Sequence, residues 1–248
     1  MAGGSGHDWA MSRERASFSG EIRRVVGSIG SAEALAGVTC RVVPELCDLV
    51  EIRLDGLLAG GFPVESAAWA HLAGVPLMFT ARRRDEGGTG DLDAATRSGL
   101  LRKALADAAV IDVEVASIGE MGGLLDEAAA AGVPWVASFH DFEKLPASGV
   151  LEDAARRALA AGAAVFKVAA RLHGPDDLAR LAGSQASNWG LPLATMGMGP
   201  LAPVSRLLCA QYGSALNYGY LGETPTAPGQ WDCGTLKQAI ARLAPPET

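Results

Sequence analysis

The stretch LEDAARRALAAGAAVFKVAA (Leu151–Ala170) holds the repeating unit of this chain. Leu151–Ala161 is alanine-rich and reads as a helix, Gly162 breaks it, and Ala164–Ala169 reads as a short strand. The same alternation recurs about every 25 to 30 residues. It predicts strands over Val25–Ile29, Leu49–Leu54, Pro76–Thr80, Val110–Glu114, Pro134–Phe139, Ala164–Ala169, Leu191–Met196 and Ser214–Tyr218. Turn signals introduce several of them, at Gly74-Val75-Pro76, Gly132-Val133-Pro134 and Gly190-Leu191-Pro192. Helices are predicted between them, such as Glu65–Leu72, Ala94–Ala108, Glu120–Ala131 and Asp176–Ala186. Apolar strands alternating with helices imply a parallel sheet covered on both faces. Eight units match an α/β fold of the (β/α)8 TIM-barrel type in a single domain. An open doubly wound sheet is the alternative, but no GxGxxG follows the first strand and no Walker A sequence is present.

The composition agrees with one large core, since 49% of the 248 residues are hydrophobic and 20% are charged. A net charge of -7 argues against a nucleic-acid surface, and no apolar stretch is long enough to span a bilayer. The expected setting is the cytoplasm. Cys40, Cys47, Cys209 and Cys233 have no CxxC spacing and read as separate thiols in a reducing compartment. No His, Asp or Glu set has metal-ligand spacing, so no metal and no cofactor is expected. Residues 1–20, which include His7, read as a flexible tail ahead of a barrel over residues 21–248.

Lys167 is the one charge in the apolar run AAVFKVAA (Ala163–Ala170). An ammonium taken out of water loses its proton more easily, and a neutral amine can add to a carbonyl to form an imine. A lysine whose head reaches back to water is the plainer alternative. The other strand ends weigh against that alternative. In a barrel, chemistry gathers at the C-terminal ends of the strands. Ser28, Glu51 with Arg53, Arg82 with Glu86, Glu114, His140, Lys167, Met196 with Met198, and Tyr218 fall at those ends. Each has an ordinary reading, as a rim ion pair, a solvated charge or a core side chain; their coincidence does not. A histidine that titrates near neutrality can move protons, Glu86 can orient it, and arginines can bind an anionic substrate. At this level an imine-forming aldolase and a non-catalytic metabolite-binding barrel stay open. Gly197 and Gly199 hint at a phosphate site, while Pro200 and Pro203 remove amide donors from it.

Seven motifs in order resemble type I 3-dehydroquinate dehydratase (3-dehydroquinase). They are DLVEIRLD (Asp48–Asp55), PLMFTARRRDEGG (Pro76–Gly88), IDVE (Ile111–Glu114), SFHDF (Ser138–Phe142), VFKVA (Val165–Ala169), TMGMGPLAPVSR (Thr195–Arg206) and TAPGQ (Thr226–Gln230). The resemblance implies a hydro-lyase of the shikimate pathway and of aromatic amino acid biosynthesis. It would convert 3-dehydroquinate to 3-dehydroshikimate without a cofactor, as a homodimer, with no nucleic-acid or membrane partner. By the same resemblance Lys167 is the Schiff-base lysine, His140 the general acid and base, and Glu86 its partner. Arg206 and Gln230 correspond to groups that bind the substrate carboxylate and neighbouring oxygens. Ser28, Glu51, Arg53 and Arg82 correspond to positions around the ring hydroxyls and carbonyl, and Met196, Met198, Tyr218 and Thr226 complete the expected pocket. Residues Gly222 to Gln230 correspond to a lid. The chain departs from the pattern at Thr226, where serine is expected, and at Tyr218, where phenylalanine is expected. Arg82-Arg83-Arg84 is also unusually basic.

Overall fold

The computed structural model describes residues 15–18 and 23–243. Eight strands are present: β1 (Arg24–Ile29), β2 (Leu49–Arg53), β3 (Leu77–Thr80), β4 (Val110–Glu114), β5 (Trp135–Asp141), β6 (Val165–Arg171), β7 (Leu193–Met198) and β8 (Leu216–Tyr220). Neighbours pair in parallel in the order β7-β6-β5-β4-β3-β2-β1-β8. β7 and β8 also lie side by side, joined by a bond from Ala215 N to Leu193 O of 2.8 Å. The sheet is therefore a nearly closed barrel, as the alternation of strands and helices predicted.

Helices wrap the outside, the longer ones being Ala94–Ala104, Gly122–Ala130, Ser148–Ala160, Pro175–Gln185, Ala202–Gln211 and Cys233–Ile240. The predicted helix over Glu65–Leu72 is shorter: one α turn at Ser66–Trp69, then a 3-10 turn at Ala70–Leu72. Trp69, fully buried and donating from Nε1 to Asp107, fixes that turn against the barrel. The main core lies between the outer faces of the strands and these helices.

Side chains alternate in and out along each strand, so the barrel interior is built in layers. The lower layer is apolar, with Val26, Leu49, Met78, Val110, Val136, Val165, Ala194 and Leu216. Two residues further along the strands stand Ser28, Glu51, Thr80, Asp112, Ser138, Lys167, Met196 and Tyr218, all buried and most of them polar. Burying so many polar groups is tolerable only if they satisfy one another.

Most of the predicted tail, including His7, lies outside the described residues. Of residues 15–18, Ser17 is exposed, while Ala16 and Phe18 are held against the barrel. Phe18 is 8% exposed and packs with the lower apolar layer, and Ala16 N donates to Ala109 O at 3.0 Å. An apolar ring under an open barrel mouth removes more surface from water than a solvated tail would. All four cysteines are free, three of them buried. Among the described residues, no helix is long and apolar enough to cross a membrane, and no cluster of three or more His, Cys, Asp or Glu is placed to hold a metal.

Candidate active site

All thirteen residues singled out in the sequence as catalytic or substrate-binding line one cavity at the C-terminal mouth. β6 supplies Lys167, β5 His140, β2 Glu51 and Arg53, β1 Ser28, β7 Met196 and Met198, and β8 Tyr218. The loop after β3 brings Arg82 and Glu86, the helix Ala202–Gln211 brings Arg206, and the segment after β8 brings Thr226 and Gln230. The free space among them is about 50 Å³. Phe142, Ala169, Ala227 and Gly87 also line it, and the sequence motifs contain all four without marking them.

Lys167 is 3% exposed, and Nζ lies 2.8 Å from Asp112 Oδ2. This corrects the expectation of an ammonium among apolar neighbours alone. The apolar residues flanking Lys167 in the sequence include Phe166 and Val168, which belong to the outer core, while the lysine points inward to polar partners. Burial still pushes its pKa down and Arg82 helps, while Asp112 and Glu51 pull it up; the balance is a lowered pKa. Asp112 was missed although it stands in IDVE, two residues before Glu114 and so on the same strand face. Its carboxylate also takes Arg82 Nη2 at 2.9 Å and the Ser138 hydroxyl at 2.6 Å. Burial opposes its charge, but Arg82 and Lys167 prevail and hold its pKa at about 2.

His140 Nδ1 lies 2.9 Å from Glu86 Oε2, and the His140 backbone N–H donates to the same oxygen at 2.9 Å. A carboxylate at Nδ1 fixes the Nδ1–H tautomer and leaves the Nε2 lone pair for the cavity. Burial, then the cations Arg82, Lys167 and Arg53, push the imidazole pKa well below its ordinary value, so the ring is a neutral base. Burial raises the Glu86 carboxyl to about 7 against the pull of Arg82, with Glu114 adding to the rise. Gly87 lets the chain turn at this point: its φ is 86°, and a Cβ there would stand 2.4 Å from Phe142 Cζ.

The arginines divide into two kinds. Arg82 is paired with Asp112 and Glu114 and donates to Ser138 Oγ at 2.5 Å. Burial opposes its charge, yet those carboxylates hold it above the ordinary range. Arg53 makes a fork on Asp55, at 2.9 and 2.7 Å, instead of a rim pair with Glu51. Glu51 accepts from Ser28 Oγ at 2.5 Å and Thr80 Oγ1 at 2.8 Å. Arg206 is different. It is 2% exposed, its Nη1 donates to the Tyr218 carbonyl at 2.7 Å, and its Nε has no hydrogen-bond partner. Among the described residues no carboxylate pairs with it, and burial lowers its pKa to about 10. A buried guanidinium without a counter-charge is a site prepared for an anion.

Glu114 does not line the cavity; it receives Arg82, Arg83 N and Arg97 and so locks the loop after β3. His173, near the rim, sets Nε2 against Glu143 O at 2.6 Å and is not among the cavity residues, while His71 Nε2 meets Leu35 O at 3.0 Å. In the segment after β8, Thr226 donates from N and Oγ1 to Gln230 Oε1 at 3.0 and 2.8 Å, and Pro228 O accepts from Gly199 N at 3.1 Å.

Comparison with known proteins points one way. The family model described as type I 3-dehydroquinase matches residues 29–244. The 3-dehydroquinate dehydratase of Haloquadratum walsbyi is 34% identical over 210 residues, covering 80% of this chain and 85% of that protein. The 3-dehydroquinate dehydratase of Klebsiella pneumoniae subsp. pneumoniae is 31% identical over 238 residues, covering 91% of this chain and 94% of that protein. Among solved structures, 3-dehydroquinate dehydratase from Geobacillus kaustophilus superposes with a TM-score of 0.76 at 23% identity, covering 90% of this chain and 91% of that one, which speaks to the fold. The enzyme from Enterococcus faecalis gives 0.74 at 26% identity, over 89% and 93%.

Proposed function

The chain belongs to the type I 3-dehydroquinase family of hydro-lyases, and on that premise we propose that it dehydrates 3-dehydroquinate to 3-dehydroshikimate through an imine on Lys167. The observation that carries this reading is a fully enclosed amine with a lowered pKa, in one cavity with a neutral imidazole and an unpaired guanidinium. Arg206 takes the substrate carboxylate, and Gln230 binds beside it. The Lys167 ammonium gives up its proton to solvent, and the free amine attacks the C3 carbonyl; loss of water leaves an iminium. His140 Nε2 removes a proton from C2, and the electron pair flows into the iminium to give an enamine. The enamine then expels the C1 hydroxyl, which leaves as water with the proton that His140 carries. Water returns to C3, and Lys167 is released with the product enone. Glu86 holds the imidazole through Nδ1 during both transfers.

About 50 Å³ is room for a few water molecules and less than a cyclic acid needs, so the segment Gly222 to Gln230 moves outward as substrate enters. Once drawn back, it excludes the water that would hydrolyse the imine early. A cytoplasmic homodimer serving aromatic amino acid biosynthesis fits this chemistry. The test is direct: enone absorbance is followed with purified protein and 3-dehydroquinate. Turnover by the native chain and none by a folded Lys167→Ala variant supports the proposal; turnover by the variant near the native rate rejects it.

A further inference from the structure

Tyr218 sits between the two groups that the proposed reaction needs most. On one side, Lys167 Nζ stands over its ring, 4.3 Å from the centroid. On the other, its backbone carbonyl accepts from Arg206 Nη1 at 2.7 Å. That second contact exists because β7 and β8 do not pair as a ladder along the barrel, so Arg206 can enter between Met196 and Tyr218. The far end of the side chain is tethered too, since the Tyr218 hydroxyl donates to Met78 Sδ at 3.5 Å. The residue is 4% exposed. Burial, then Glu51 and Asp112, hold its phenol pKa well above the ordinary value, so the ring stays neutral and keeps the electron-rich face of an aromatic.

A cation over such a face, out of water, is attracted by the ring quadrupole. We propose that Tyr218 is a positioning residue for the imine chemistry: its ring face holds the Lys167 nitrogen in its cationic forms, and its carbonyl sets the guanidinium that receives the substrate carboxylate. One residue thereby fixes the reach between the anchoring end of the substrate and the amine that attacks it. The inference rests on Lys167 being the nucleophile. The nitrogen is positive as ammonium and again as iminium, so the ring favours both states over the free amine. The groups facing that nitrogen are the charged Asp112 on β4, Glu51 on β2 and Arg82 after β3, and the neutral, titratable His140 on β5. They stay constant when only the ring changes, which makes the ring's share measurable.

The experiment replaces Tyr218 by phenylalanine, by 3,4,5-trifluorophenylalanine, which has the same shape but an electron-poor face, and by leucine. Lys167 is titrated in each protein by NMR of a 13Cε-labelled lysine, and wild type is treated with 3-dehydroquinate and borohydride in parallel. The expected order of Lys167 titration midpoints is Tyr and Phe together, then trifluoro-Phe, then Leu, with a fall of up to about one pH unit across the series. A midpoint that ignores fluorination overturns the proposal, as does a Phe variant that falls as far as Leu, which would make the hydroxyl the active part. Should Leu fail to fold, the Phe and trifluoro-Phe pair still decides. The borohydride arm separates the two levels. Labelled Lys167 with an indifferent midpoint removes only the role given to Tyr218; unlabelled Lys167 removes the imine itself, and with it the catalytic meaning of the ring contact.

Discussion

Replacing Arg206 by methionine should make the protein more stable and a worse enzyme. The guanidinium is buried with no carboxylate partner among the described residues, and burial holds its pKa at about 10 in place of the ordinary 12.5. By linkage that depression corresponds to about 3 kcal/mol of destabilisation carried by the folded state. The sign is fixed by the direction: a base with a lowered folded pKa carries the full penalty at every pH below about 10 and sheds it only above. Methionine fills much of the same space. It loses the bond to the Tyr218 carbonyl, and leaving that oxygen unsatisfied costs about 1–2 kcal/mol. The net expected gain is about 1–2 kcal/mol, or roughly 2–8 °C in Tm for a chain of this size, equal at pH 6 and pH 8. Catalysis moves the other way. Losing a charge-assisted bond to the substrate carboxylate removes about 1.5–3 kcal/mol of binding, a rise in KM of about 10- to 100-fold with a much smaller change in kcat. Calorimetry at the two pH values and steady-state kinetics decide the matter. A variant that melts lower than wild type and keeps its KM would refute the reading of Arg206 as an unpaired charge awaiting an anion.

Three further outcomes follow from the same geometry. Glu86→Gln should be favoured over wild type increasingly between pH 4.5 and 7, by up to about 3 kcal/mol in urea unfolding, and by a constant amount above. A carboxyl whose folded pKa is raised carries no penalty where both states are protonated and its full penalty above the folded pKa. Asp112→Asn leaves Lys167 and Arg82 facing each other without their shared counter-charge, so it should lose about 3–5 kcal/mol in the same assay. Phe18→Ala should cost about 3 kcal/mol while leaving kcat and KM unchanged, because Phe18 packs at the mouth opposite the cavity.

The fold was legible because most strands are short apolar runs, several of them introduced by glycine or proline, and eight such runs alternating with helices admit few arrangements. Strand ends were read less well. β5 and β6 each run two residues past their predicted last residue, through Asp141 and Arg171. Polar residues there look like loop in the sequence, yet His140 and Asp141 still pair with Ala169 and Ala170 on β6. Ten of the cavity residues were legible from their place at strand ends, whereas Arg206, on a helix, and Thr226 and Gln230, after β8, were legible only through the ordered motifs. Asp112 was not legible, because a carboxylate inside an apolar strand has meaning only once the facing strand brings Lys167 within 2.8 Å. The packing of Phe18 escaped for the same reason, as only the closed barrel creates the mouth it fills. The seam that admits Arg206 between β7 and β8 depends on ring closure, which no local pattern records.

The account stands or falls on the bond between Lys167 and the substrate. Native protein incubated with 3-dehydroquinate and borohydride, digested and analysed by mass spectrometry, should carry a reduced adduct on the peptide containing Lys167 and lose activity in proportion to the label. Enone formation at full rate with Lys167 unmodified, or with the label on another residue, would contradict it.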